Sequence, residues 1–211
     1  MVVTLAFKRR NLPHWLVADH AYFVTIRLHD TLPADVLARL REKRAQREHD
    51  FPNDPDRRAE ADRDDFMKID RLLDAGHPNR DWLSRPTVAR SFIDNLQWME
   101  QRGWRIDAVT LMPTHADVVL RNTEGRNDRL LDDLTQFKRH TGRLANRALE
   151  RHGRFWARED FDHWCRDQES LERAMLYTIR NPVKAGLTSS WDQWPWTRVR
   201  ASSFRTGSIP D

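Results

Sequence analysis

Tyr22, Val24, Ile26 and Leu28 alternate with Ala21, Phe23, Thr25 and Arg27, the period-two pattern of a β-strand. Two more stretches read the same way: "WRIDAVTL" at 104–111, and residues 115–121 behind the "MPT" turn. Elsewhere the period is helical. Val88, Phe92, Leu96 and Met99 recur at helical spacing between Pro86, which suits a first turn, and Gly103, which suits a stop. Helices are expected over 34–48 behind Pro33, near 64–75 ending at Gly76, over 127–151, and over 168–180 with a stop at Pro182. A short strand is expected around 160–165. Residues 9–15 read as an arm leading into the fold, and the tail from about 188, rich in Trp, Arg and Ser, has no clear period.

The order strand, helical region, strand, strand, helix, strand is that of the ferredoxin-like fold. The fold class is therefore read as α+β: a ferredoxin-like antiparallel sheet with packed helices on one side and N- and C-terminal extensions. No repeat or composition break divides the 211 residues, so one domain over 1–211 is expected, with a charged helical excursion at about 34–80. Within it "HDFPNDPDRRAEADRDDF" (49–66) is proline-punctuated and poor in apolar residues, the composition of a solvated surface segment.

Charged residues make up 32% of the chain and hydrophobic ones 39%, polar for a globular protein but not disordered. No apolar run approaches bilayer length, the N-terminus lacks a signal-peptide pattern, and the single cysteine, Cys165, excludes an internal disulfide. A cytoplasmic protein without a membrane partner is expected. Lys and Arg number 36 against 32 Asp and Glu. Only five of the 36 are lysines, and the planar arginine fork suits phosphate, although codon bias in a GC-rich genome gives the same ratio.

Two constellations carry candidate chemistry. In "MPTHADVVL" (112–120), His115 and Asp117 fall on one face of a strand, roughly 6–7 Å apart at Cα. They form either a metal site or a polar strand edge. Tyr177 and Asn181 stand four apart on the last helix, about 5–6 Å apart at Cβ. By itself Tyr177 reads as a core aromatic, and Asn181 before Pro182 as a helix end.

The distribution of charge points to nucleic acid. Arg139, Arg143, Arg147 and Arg151 recur every four residues with no acid four positions earlier, where a salt-bridged helix would interleave Glu or Asp. With Lys138 and Arg158 they form a candidate phosphate-contacting face, with His140 also beside the stripe. Trp156, Trp164, Trp191, Trp194 and Trp196 lie near basic residues, and unpaired bases stack on such rings. Trp156 and His163 join the candidate DNA contacts, against their ordinary reading as structural residues.

"MPTHADVVL" resembles the MPNHxH segment of the single-tyrosine HUH nucleases. "YTIRNPVKAGL" (177–187) closely resembles the corresponding segment of the REP-associated tyrosine transposases. "LPHW" (12–15), "YFVTIRLHDTLP" (22–33), "FWAREDFDHWCRD" (155–167) and "WDQWPW" (191–196) match in the same order, so the resemblance spans about residues 9 to 200. It implies a ferredoxin-like, metal-dependent enzyme that cuts and rejoins single-stranded or hairpin DNA. By motif, Tyr177 is the nucleophile, His115 is the first HUH histidine, and Asn181 is the helix-borne metal ligand. Asp117 stands where the family has its second histidine, and Thr114 where it usually has Asn.

A phenol of pKa about 10 is ionised to roughly one part in a thousand at pH 7, so a metal at the scissile phosphate matters. Imidazole, carboxylate and amide oxygen from His115, Asp117 and Asn181 suit Mg²⁺ or Mn²⁺. The expected reaction joins Tyr177 to the DNA 5′ end through a phosphotyrosine and leaves a free 3′-OH. The alternative is a catalytically degenerate DNA or RNA hairpin binder on the same fold, with Asp117 marking lost chemistry. A metal-dependent hydrolase of small molecules explains neither the arginine stripe nor the helix-borne tyrosine. The oligomeric state is read as monomer or homodimer.

Overall fold

A computed structural model describes residues 4–9, 13–50, 69–77 and 80–210. The core strands follow the sequence pattern closely. β1 (Thr4–Arg9) and β2 (Pro13–Val17) form a separate antiparallel hairpin where the pattern suggests only an arm. Then come β3 (Ala21–Arg27), α1 (Ala34–Asp50) and α2, helical at 69–74. The rest of the charged stretch, 51–68, lies outside the described residues. α3 (Pro86–Glu100) leads through Gly103, at φ +83°, into β4 (Trp104–Leu111) and β5 (His115–Asn122). α4 (Leu130–Ala148), β6 (Phe161–Cys165), α5 (Gln168–Lys184) and β7 (Thr197–Val199) complete the chain.

Five strands form one antiparallel sheet in the order β6-β3-β5-β4-β7. Without β7 this is the ferredoxin-like arrangement, in an α+β fold. Helices cover both faces rather than one. Tyr22, Val24, Ile26 and Leu28 pack with α3 and α4, whereas Ala21, Phe23 and Val119 pack with Leu40, Ile69, Leu73 and the Met175–Ile179 face of α5. The second face is buried because its own strand positions are apolar too. Thr25, His115 and Asp117 share that face by register and alternation, so the polar residues sit under α5.

α5 begins at a capping box, with Asp167 accepting from the Ser170 N–H and the Ser170 hydroxyl reciprocating. It does not stop at Pro182 but runs through to Lys184. Proline removes one donor, yet the Ala185 N–H still reaches the Asn181 carbonyl at 2.9 Å, so one missing bond in the last turn is tolerated. The extra turn places Tyr177, Asn181 and Lys184 on one face.

The tail is ordered by the sheet. β7 pairs with the free edge of β4. Asp107, fully buried, accepts from Arg105 and Arg121 at 2.9 Å each and from Ser203 at 2.6 Å. Its carbonyl accepts from the Arg200 N–H. Cys165 is buried, and burial pushes its thiol up to about 12, which fits a structural residue. Among the described residues no helix is long and apolar enough to cross a membrane.

α4 is fixed at its first turn by Asp133, which accepts from the Trp104 indole at 2.9 Å and from Arg102 at 2.8 Å. Asp133→Ala leaves the buried indole N–H unsatisfied and is expected to cost about 3 kcal/mol. The urea midpoint should fall with an unchanged slope; an unchanged midpoint would show that the contact contributes nothing.

Candidate active site and nucleic-acid groove

Three elements distant in sequence meet beneath α5. β5 supplies His115 and Asp117, α5 supplies Tyr177, Asn181 and Lys184, and α2 supplies Asp70 and Asp74. His115, Asp117, Asn181 and Thr25 are completely buried, and Asp70 is 1% exposed. The Asp117 carboxylate is held on both oxygens: Thr25 donates to Oδ1 at 2.7 Å and the Asn181 amide to Oδ2 at 2.9 Å. His115 Nε2 lies 3.7 Å from Asp117 Oδ2. The three residues expected as metal ligands are therefore neighbours, and Asp117 also orients the Asn181 amide.

Sequence pattern alone does not single out the α2 acids. Ligand atoms of Asp70, Asp74 and His115 lie within 4.8 Å of one another. Lys184 Nζ bridges the pair, 2.7 Å from Asp70 and 3.1 Å from Asp74. The spacing of Asp70 and Asp74 is legible as one helix face, but so acidic a neighbourhood hides the signal.

The tautomer of His115 follows from the donors around it. Thr114 Oγ1 lies 3.0 Å from the Leu73 carbonyl and 3.0 Å from His115 Nδ1. A carbonyl cannot donate, so the single hydroxyl proton goes to Leu73 and the oxygen accepts from Nδ1–H. Nε2 then carries a bare lone pair, and it has no hydrogen-bond partner. One oxygen each of Asp70, Asp74 and Asn181 is likewise buried and unpartnered. An imidazole lone pair, two carboxylate oxygens and an amide oxygen form a donor set without a donor hydrogen, the composition of a hard divalent-cation site.

The electrostatics agree. Burial, reinforced by the charge of Asp70, pushes the Asp117 carboxyl up to about 7 despite its hydrogen bonds. Burial holds His115 below its usual range, so the imidazole stays neutral as a ligand must. Asp74 is raised by burial and by Asp70. Burial disfavours the Lys184 charge, but its bonds to Asp70 and Asp74 outweigh that and raise its pKa. Tyr177 is raised strongly, by burial first and then by the charges of Asp117 and Asp70. Its ring is held edge-on against Phe23 at 5.8 Å. These carboxylates oppose formation of a phenolate, and a cation among them reverses that field.

Thr114 thus acts through His115. Thr114→Val strands Nδ1–H and favours the tautomer with its proton on Nε2. Mn²⁺ affinity should drop about 10- to 100-fold, with Thr114→Ser restoring it. Equal affinity for the Val and wild-type proteins in calorimetric titration would refute the assignment.

The arginine stripe divides. Arg139, Arg143 and Arg147 are exposed on α4, without an ion-pair partner among the described residues. Arg151 lies beyond the end of α4, bonded to Asn146 and stacked 3.8 Å over the Trp82 ring. Lys138 is committed to Asp160 at 2.6 Å. Trp156 is core, its indole donating to Thr141 at 3.0 Å, so its ring offers little face to a base. His163, on the outer strand β6, stacks on Phe23. Arg139 and Arg143 line a groove of about 410 Å³ with Arg154, Phe155 and Arg158. A Cβ at Gly142 would meet Phe155 and Trp156 at 3.3 Å, so glycine lets the helix approach this segment.

No family model matches the sequence, and no curated protein matches it. A solved structure does: that of a REP-associated tyrosine transposase bound to a REP hairpin, with a TM-score of 0.53 and 14% identity over 97% of this chain and 93% of that one. The likeness is one of fold. At that identity it assigns no residue a role, and the site stands on its own geometry.

Proposed function

We propose that this protein is a metal-dependent single-strand DNA endonuclease and strand transferase acting on hairpin DNA. The observation that carries the reading is the convergence of Tyr177 with the His115, Asp117 and Asn181 cluster, from elements about 60 residues apart, around buried oxygen and nitrogen atoms that lack hydrogens. The residues fit Mg²⁺ or Mn²⁺. His115 Nε2 and Asn181 Oδ1 would hold the ion with carboxylate help. When bound, such an ion withdraws charge from the non-bridging oxygens of the scissile phosphate. Tyr177 Oη attacks phosphorus, the bond to the 3′ oxygen breaks, and a 5′-phosphotyrosine and a free 3′-OH result. The phosphodiester energy is retained, so the strand can be rejoined without ATP. Arg139, Arg143, Arg147, Arg154 and Arg158 grip the stem through its phosphates.

One observation favours a second reading: both oxygens of Asp117 are engaged by Thr25 and Asn181, as in a site that binds hairpins without chemistry. Covalent trapping separates the two. The protein is mixed with a pool of single-stranded hairpins and Mn²⁺, and an SDS-resistant protein–DNA adduct is sought. An adduct that requires metal supports the enzyme, whereas hairpins shifted on a native gel but never trapped support the binder.

A further inference from the structure

Lys184 occupies the charge position that a metal would want. Its ammonium spans Asp70 Oδ2 and Asp74 Oδ2, the carboxylates that lie with His115 inside one 4.8 Å cluster. Each keeps its other oxygen buried and unpartnered, as does His115 at Nε2. Two anions, one ammonium and a bare imidazole leave the cluster a net charge of about −1 before Asp117 is counted, an arrangement that burial penalises. A divalent ion on the two carboxylates and Nε2 removes that deficit and frees the ammonium.

The route is visible in the exposure. His115, Asp117 and Asn181 are sealed, whereas the Asp74 side chain is 13% and the Lys184 side chain 43% exposed. Lys184 therefore stands on the solvent side of the cluster. Its ammonium also lies 5.2 Å from the Tyr177 ring centroid. Once released, it is beside the nucleophile, where a substrate phosphate must come.

We propose that Asp70 and Asp74 are exchangeable ligands, held by Lys184 in the metal-free protein and by a divalent ion together with His115 in the loaded one, so that ion binding turns the Lys184 ammonium towards the substrate phosphate. This rests on the metal-dependent reading above. It moves the carboxylate ligands from β5 to α2 and makes Asp117 the residue that orients Asn181. It also explains how Asp117 can replace a histidine without emptying the site: the ligation lost on β5 is supplied by another element. The lysine stays protonated throughout, so the exchange swaps cations and releases no proton from it.

The test uses the full-length chain without DNA. Mn²⁺ affinity is measured by calorimetry and by the free-ion paramagnetic resonance signal. Asp70→Asn with Asp74→Asn should weaken binding by at least about tenfold, more than Asp117→Asn does. Lys184→Met removes a competing, repelling cation and should tighten binding by about tenfold, with a larger Mn²⁺-induced rise in Tm than wild type. With only five lysines, the Lys184 side-chain NMR signal is assignable by its loss in Lys184→Met. Saturating Mg²⁺ should shift and sharpen it. Unchanged affinity in the α2 double variant, unchanged or weaker binding in Lys184→Met, or a Lys184 signal indifferent to Mg²⁺ would each overturn the exchange. These readouts are independent of cleavage. Mn²⁺ exchange without any adduct would sink the nuclease reading alone, and adduct formation with wild-type Mn²⁺ affinity in Asp70→Asn/Asp74→Asn would sink this inference alone.

Discussion

Tyr177→Phe is expected to abolish the covalent protein–DNA adduct while leaving hairpin affinity within about twofold. The loss should exceed a factor of about 10³, because in the proposed reaction the phenol oxygen is the atom that bonds to phosphorus and no other group would replace it. Binding should survive because the exposed arginines of α4 sit on the opposite side of the sheet from α5. The folded state should survive as well, since the ring remains packed edge-on to Phe23. Tyr22, the other tyrosine, is excluded by its setting. It is fully buried with α3 and α4, and its hydroxyl is tied to Val17 at 2.5 and 3.2 Å. An adduct of normal yield from Tyr177→Phe would remove Tyr177 from the mechanism; loss of both adduct and binding would point to misfolding, which circular dichroism would report.

Arg143→Glu with Arg147→Glu is expected to weaken hairpin binding about 100-fold at low salt. The slope of log K against log salt should fall by about 2, one for each phosphate that is no longer neutralised. Both side chains are exposed and lack an ion-pair partner among the described residues, so the reversal removes no internal salt bridge. Stability should change by less than about 0.5 kcal/mol. Lys138 behaves differently. Lys138→Glu would also weaken binding, but by breaking the pair with Asp160, and the urea midpoint would fall with it. Filter binding across a salt series distinguishes the two, and an unaltered slope in the double arginine variant would place the DNA elsewhere.

The strands and most helices of this chain are written in short-range pattern. The alternation at 21–28 and 104–111 and the 3.6-residue period from Val88 to Met99 each reflect one local geometry, and the structure follows them to within a residue or two. Elements whose existence depends on a partner are less legible. β7 is three residues long and forms because β4 offers a free edge and Asp107 ties down Arg200 and Ser203. β1 and β2 pair with each other behind a segment that reads only as an arm. Pro182 suggests a stop, yet α5 continues, because one missing donor in a last turn costs less than the packing of the α5 face provides.

The candidate site divides in the same way. His115 beside Asp117, and Tyr177 four residues before Asn181, follow from the strand and helix periods, so the sequence alone determined which side chains share a face. Tertiary structure decided which faces meet. Only folding brings Asp70 and Asp74 of α2 to within bonding distance of Lys184 and gathers them with His115 inside one 4.8 Å cluster, and only burial turns unpartnered oxygens and a bare imidazole nitrogen into a group that could hold a cation. The same distinction sorts the basic residues. Periodicity lays Arg139, Arg143, Arg147 and Arg151 in one stripe, but the end of α4 and the Trp82 ring take Arg151 out of it, and Asp160 withdraws Lys138. Local pattern fixes direction along an element; the energy of a polar group depends on what surrounds it, which is set by packing between distant parts of the chain.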